Sequence, residues 1–443
     1  MFARAVALLL LLGCGVAAAE DAIEAWIDEP MPPGIEVVPT ELDGPVFATA
    51  DGKTLYTWPF HKHRNGYSGE SPGKPACYDE VSTVTAGLMS PYPPGIELPD
   101  LDNRPSCTDL WPPLYADDEA RTVGRWSVIA RRDGTRQWAY DEQPLYTSVK
   151  DAERGDVLGA STRRYGGDSP AERKPAKPRP MVPPGFAVKT TALGRLLTTD
   201  KNASIYARAD ESPTSIVCRD DCTRLWHPVL APQMARNIGA WTIEEREPGV
   251  RQWAYRGQLL YTYANDTHSW SQEGTDVAGW DNVYTQRAPA FPESFRIEET
   301  LTGTVLADAN GMTIYRYICG DDSIDQLSCE HPDDTQVYRL AMCGGGDPER
   351  CLDHWRYVEA SPDATDTSRS WRVVTVNKLT GRFANAEDPD ALRVWAYRDR
   401  PIYTYGLDKV PGDVHGDGTG EWRGQRNGLK ALWLRDDHLR GTQ

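Results

Sequence analysis

Apolar and polar positions alternate in short runs along most of the chain. Val46-Phe47-Ala48-Thr49, then Asp51-Gly52, then Thr54-Leu55-Tyr56-Thr57-Trp58 predict a hairpin, because Asp-Gly readily takes the positive φ angles of a tight turn. Farther on, Trp126–Ala130, the turn at Asp133-Gly134, Arg136–Tyr140 and Leu145-Tyr146-Thr147 predict three more short strands. No segment sustains a 3.6-residue apolar period over three turns. The expected fold class is all-β, with short antiparallel strands and long loops. Pattern alone leaves barrel, sandwich and propeller-like arrangements open.

The strands recur. Arg136-Gln137-Trp138-Ala139-Tyr140 returns as Arg251-Gln252-Trp253-Ala254-Tyr255 and as Arg393-Val394-Trp395-Ala396-Tyr397. Each is followed by a second phrase: Pro144-Leu145-Tyr146-Thr147, Leu259-Leu260-Tyr261-Thr262 and Pro401-Ile402-Tyr403-Thr404. Upstream, Cys107 precedes Trp111 as Cys222 precedes Trp226 and Cys351 precedes Trp355. Internal repetition of this length means three tandem β-modules, placed at residues 32–166, 183–288 and 291–438. Residues 167–182, rich in Pro and Lys, are expected to be an extended exposed linker.

Composition fits this picture. The chain has 443 residues, 40% of them hydrophobic, enough for real cores. Fifteen Trp and twenty Tyr stand against seven Phe, a balance suited to thin β-modules and to binding faces alike. The net charge of −17 repels phosphate backbones and anionic headgroups. Nucleic-acid binding is therefore not expected.

Residues 1–19 are expected to be a signal peptide. Arg4, the apolar run Ala5 to Leu12 and Ala17-Ala18-Ala19 before Glu20 have its three parts. A second reading competes: Leu11-Leu12-Gly13-Cys14 has the form of a lipobox, which would put lipid on Cys14. The protein is thus expected to be periplasmic or at the cell surface, and either soluble or lipid-anchored. Without Cys14 eight cysteines remain, an even number that argues for disulfides in an exported chain. If each module closes its own bridges, Cys77 joins Cys107 and Cys218 joins Cys222.

The tyrosine strands end alike. Tyr261-x-Tyr263-x-x-Asp266 and Tyr403-x-Tyr405-x-x-Asp408 share a spacing that Tyr146 to Asp151 also keeps, with Ser148 at the aromatic place. Together with the Cys…Trp-Pro-Pro and Gln-x-x-Tyr phrases, this resembles the secreted-repeat lipoprotein family of bacteria. That resemblance implies an exported, often lipid-anchored protein of unassigned function, and it supplies no catalytic residue. In the third module it implies a bridge from Cys351 to Cys343, which leaves Cys319 with Cys329; the two other pairings stay open. Insertions at roughly 62–104 and 319–342 depart from the family's compact pattern, and they are the place to look for any private function.

Period two puts the paired aromatics on one strand face and the Asp at the strand's end, where it can accept backbone N–H bonds. That reading needs no ligand; an aromatic platform for sugar or peptide is the alternative. Turns at 155–159, 275–279 and 412–416 follow the motif. Asp413, Asp417 and Glu421 form a weak Ca²⁺ candidate, for which a plain turn is preferred. His61 and His63 could hold Cu²⁺ with a third ligand, though a solvent-facing pair is preferred. No nucleophile motif, phosphate loop or dinucleotide fingerprint occurs. No catalytic or cofactor-binding residue is therefore nominated. The expected function is non-catalytic binding of an envelope partner or small ligand through aromatic-rich loops. The alternative is a metal-dependent redox accessory or enzyme with its site in an insertion.

Overall fold

A computed structural model describes residue 24 and residues 26–63, 66–79, 106–160, 173–179, 182–318, 347–398, 400–418 and 428–436. Among the described residues the strands pair antiparallel, and the α-helices are short, Cys107–Leu110 and Pro348–His354.

Each repeat opens on a hairpin: Ile35–Pro39 with Pro45–Thr49, Phe186–Thr191 with Gly194–Thr199, and Arg296–Thr300 with Gly303–Ala307. A second hairpin carries the Trp-Ala-Tyr phrase: Trp126–Ala130 with Arg136–Tyr140, Trp241–Glu247 with Val250–Tyr255, and Trp371–Asn377 with Ala391–Tyr397. Trp, Ala and Tyr of that phrase are all buried, so this strand is covered on both faces and reads as a continuous apolar run. The two hairpins pack through aromatic edges. Phe47 meets Trp126 at 4.8 Å, Phe186 meets Trp241 at 4.6 Å, and Phe295 meets Trp371 at 5.4 Å. The first and third of these are edge-to-face and the second is tilted; aromatic pairs of this kind add roughly 0.5–1.5 kcal/mol to the burial itself.

The expectation of an exposed linker is overturned. Within 167–182, Lys174–Pro175 is a strand paired with Tyr56–Thr57. Ala176 donates its N–H to Leu55 O and accepts from Phe47 N–H, and Arg173, Pro175, Ala176 and Pro178 are buried. Proline needs no N–H partner, so a Pro-rich segment can serve as an edge strand. The segment completes the first repeat, as Trp280–Asn282 and Gly428–Ala431 complete the others.

Among the described residues every strand pairing stays within one repeat, yet side chains join all three. The turn at Thr40–Gly44 meets both other repeats. Asp43 pairs with Arg398 at 2.7 Å, Glu41 accepts from the N–H groups of Arg369 and Ser370, and Gln286 Oε1 accepts from Gly44 N–H. Ala192 and Leu193, on the matching turn of the second repeat, pack into the core of the third. Asp276 pairs with Arg435.

Candidate functional site

The most repeated chemistry is a buried tyrosine bonded to an aspartate. Tyr56 donates to Asp151 Oδ2 at 2.7 Å, Tyr206 to Asp266 Oδ1 at 2.9 Å, and Tyr315 to Asp408 Oδ2 at 2.6 Å. The partner of each motif Asp is thus the tyrosine of an earlier strand, not the one in its own motif. The other carboxylate oxygen reaches forward: Asp151 Oδ1 accepts from Leu158 N–H at 2.9 Å and Asp408 Oδ1 from His415 N–H at 3.0 Å. One carboxylate therefore fastens a core strand to the following loop.

Burial is the largest influence on these acids. It raises Asp151 and Asp266 to about 7 against the hydrogen bonds from Tyr56 and Tyr206, and it raises Asp408 as well. Burial also lifts the three phenols far above their ordinary range, with help from the adjacent carboxylates.

Against each tyrosine lies a tryptophan edge: Tyr56–Trp111, Tyr206–Trp226 and Tyr315–Trp355 meet at 5.2, 5.4 and 5.3 Å. A glycine backbone presses on the tryptophan ring in every repeat, and on the tyrosine ring as well in the second and third. A Cβ on Gly274 would stand 2.6 Å from Tyr206 Cε1, on Gly416 2.6 Å from Trp355 Cη2, and on Gly159 2.7 Å from Trp111 Cη2. Gly274 is therefore the counterpart of Gly159 and Gly416, and the sequence alignment of 275–279 with the other two turns is corrected by five residues. The signal was hidden because Trp270 holds the positive φ that Gly155 and Gly412 hold elsewhere. In the second repeat Trp226 also stacks on Trp280 at 3.7 Å; at the matching place in the first repeat Arg173 lies 4.4 Å from the Trp111 ring.

A second buried network adjoins the disulfides. Arg131 donates to Gln137 Oε1 at 2.8 Å and to Cys77 O at 2.6 Å, and Gln137 donates to Leu145 O at 2.7 Å. Glu70 accepts from Tyr146 at 2.6 Å and from Ala76 N–H at 2.8 Å. Arg246, Gln252, Glu211 and Tyr261 repeat this arrangement around Cys218. In the third repeat the positions of Arg246 and Gln252 hold Val376 and Val394, both fully buried. Sequence reasoning missed this network, although Arg five residues after Trp126 and Trp241 was visible.

The structure joins Cys77 to Cys107 and Cys218 to Cys222. Cys351 is also disulfide-bonded, to a cysteine outside the described residues. Cys319, Cys329, Cys343, Cys14 and Glu421 lie outside them too. The motif residues Tyr146, Tyr261, Tyr403, Trp138, Trp253 and Trp395 are buried, while Tyr263 and Tyr405 are half-buried against Trp226 and Trp355. These rings are packed against the core rather than displayed as an aromatic platform. Asp413 accepts from the N–H groups of Lys409 and Val410, and Asp417 from Ala431 N–H and Trp433 Nε1. The backbone of His61 and His63 forms one strand of a small hairpin, His61–His63 with Gly66–Ser68. Among the described residues no three His, Cys, Asp or Glu side chains gather into a metal-binding group. No helix among them is long and apolar enough to cross a membrane.

Residues 127–166 match the family described as a secreted repeat of unknown function. No curated protein and no solved structure matches the chain.

Proposed function

We propose, on the premise that residues 127–166 are a secreted repeat, that this is an exported, non-catalytic envelope protein whose loops bind a partner. The aromatic residues form the frame, and the binding surface is the variable loops that the frame holds. One observation supports this reading above others. Where the Cys…Trp segment meets the loop after the second tyrosine strand, every repeat exposes aliphatic side chains: Val149 in the first, Leu225 and Val217 in the second, Leu407 and Val410 in the third. Val149 N–H donates to Leu110 O and Ala264 N–H to Leu225 O, so the two loops lie side by side in the first two repeats. Loops on a rigid scaffold are where binding residues concentrate, and exposed apolar groups at one end of a repeat suit a protein partner better than water.

A photo-crosslinking residue at Val149, Leu225 or Leu407 should trap the same envelope component, whereas one at Glu244 should not. No adduct, or equal adducts at all four positions, rejects the loop surface. Stoichiometric copper, zinc or iron in the purified protein would favour the metal-dependent reading instead.

A further inference from the structure

We infer that the chain associates end to end with a second copy of itself, the opening turn of the third repeat docking on the last strand of the first repeat of its neighbour.

In all three repeats the opening hairpin closes on the same threonine turn. Thr40 Oγ1 donates to Gly44 O at 2.6 Å, Thr191 Oγ1 to Gly194 O at 2.9 Å, and Thr300 Oγ1 to Gly303 O at 2.8 Å. In the first two repeats this turn is a plug. Leu42 is buried, and Gln286 of the second repeat bonds both Gly44 N–H and Thr40 O. Ala192 is buried and Leu193 half-buried in the core of the third repeat. In the third repeat Leu301 stands in the place of Ala192 and is fully exposed. Upstream, Val37 and Val188 pack against their own cores, whereas Ile297, at the same register position, is exposed. Alternation puts Ile297, Glu299 and Leu301 on one face of the strand and its turn.

Each repeat also carries a socket position. Ala176, Val283 and Leu432 hold one backbone place, donating their N–H groups to Leu55 O, Ile205 O and Ile314 O. Three residues on stand Arg179, Gln286 and Arg435. Gln286 receives the turn of the first repeat, and Arg435 pairs with Asp276 of the second at 2.6 Å. The position thus faces the preceding repeat wherever the chain supplies one. In the first repeat it holds Arg179, whose side chain is 58% exposed, with Glu29 at 3.9 Å. Ile27, also exposed, donates its N–H to Arg179 O.

The end repeats of an array ordinarily present a polar outer face to water. Here the last plug presents Ile297 and Leu301 beside the exposed Glu299, and the first socket presents Ile27 beside Arg179. Apolar side chain meets apolar side chain, and carboxylate meets guanidinium, so the two ends complement each other. The contact joins two different patches and is therefore head to tail, the same relation that joins the repeats within the chain.

Sedimentation velocity of the mature protein tests this, from about 10 µM to about 1 mM chain, a range that registers a Kd as weak as about 1 mM. Salt at about 0.15 M screens the repulsion between acidic chains. The wild-type protein should sediment faster as its concentration rises. Leu301→Glu and Arg179→Glu should each weaken association about tenfold or more, the first by burying a carboxylate and the second by opposing Glu299. Both side chains are exposed, so each variant should keep the wild-type circular dichroism and melting temperature. Mixing the two variants should restore one contact, the intact turn of the Arg179→Glu chain on the intact strand of the Leu301→Glu chain, and give a discrete one-to-one complex. A wild-type chain that stays monomeric across the range overturns the inference. Association that survives Leu301→Glu, or a mixture that stays monomeric, overturns it too. A photo-crosslinking residue at Leu301 should be found joined to residues 173–179 of another copy, and an adduct with any other protein instead would reject self-association. None of these outcomes alters the crosslinking at Val149, Leu225 and Leu407, so the two readings fail separately.

Discussion

Replacing Arg246 by valine should destabilise the second repeat more than replacing Arg246 and Gln252 together would lead one to expect. Arg246 is buried, and its guanidinium donates to Gln252 Oε1 at 2.6 Å, Tyr261 Oη at 3.0 Å and Cys218 O. Arg246→Val leaves all three acceptors without that donor. Removing one partner of a buried charged network costs roughly 3–5 kcal/mol. Adding Gln252→Val removes one stranded acceptor and places two valines together, as Val376 and Val394 lie in the third repeat. It also strips Leu260 O of its donor at 2.8 Å, so recovery is partial. The double variant should therefore cost less than the two single costs added, by about 1–3 kcal/mol of coupling. Three joined repeats need not unfold in one step, so the assay is native-state hydrogen exchange. Amides pairing Trp241–Glu247 with Val250–Tyr255 report the local opening free energy. Strictly additive costs would show that Arg246 and Gln252 do not form one unit and would refute the reasoning.

The raised aspartates set a pH dependence. Since Asp151 and Asp266 are lifted to about 7, the folded chain holds more protons than the unfolded one between about pH 4 and pH 7, and stability falls as pH rises through that window. Melting at fixed ionic strength should be lower at about pH 8 than at about pH 5.5, and Asp151→Asn should flatten the slope; an unchanged slope in that variant rejects the assignment. Removing Cys77–Cys107, with a sequence separation of 30, should cost about 4 kcal/mol on chain entropy, and removing Cys218–Cys222, with a separation of 4, about 2 kcal/mol; urea unfolding of the paired alanine variants would expose the reverse order. Gly416→Ala forces a Cβ against Trp355 and should cost about 1–3 kcal/mol, whereas Gly279→Ala, with open space around it, should show strain from its backbone angle only; equal losses in exchange protection around Trp355 and Trp280 would contradict the close packing. N-terminal sequencing of the mature protein should begin at Cys14 if lipid is attached and at Glu20 if it is not.

The sequence alone determined the β class, the threefold repetition and the positions of Cys, Trp, Tyr and Asp, because alternation and recurrence are local properties of a chain. It also showed that Asp151, Asp266 and Asp408 recur after a tyrosine strand. Which tyrosine each one meets was decided by tertiary structure: Asp151 reaches Tyr56, 95 residues away, and no local spacing encodes that distance. The same holds for residues 173–178, whose Pro and Lys content suggests a linker until pairing with Tyr56–Thr57 makes them an edge strand. The glycine at 274 escaped notice because Trp270 stands where a positive-φ glycine marks the other two turns.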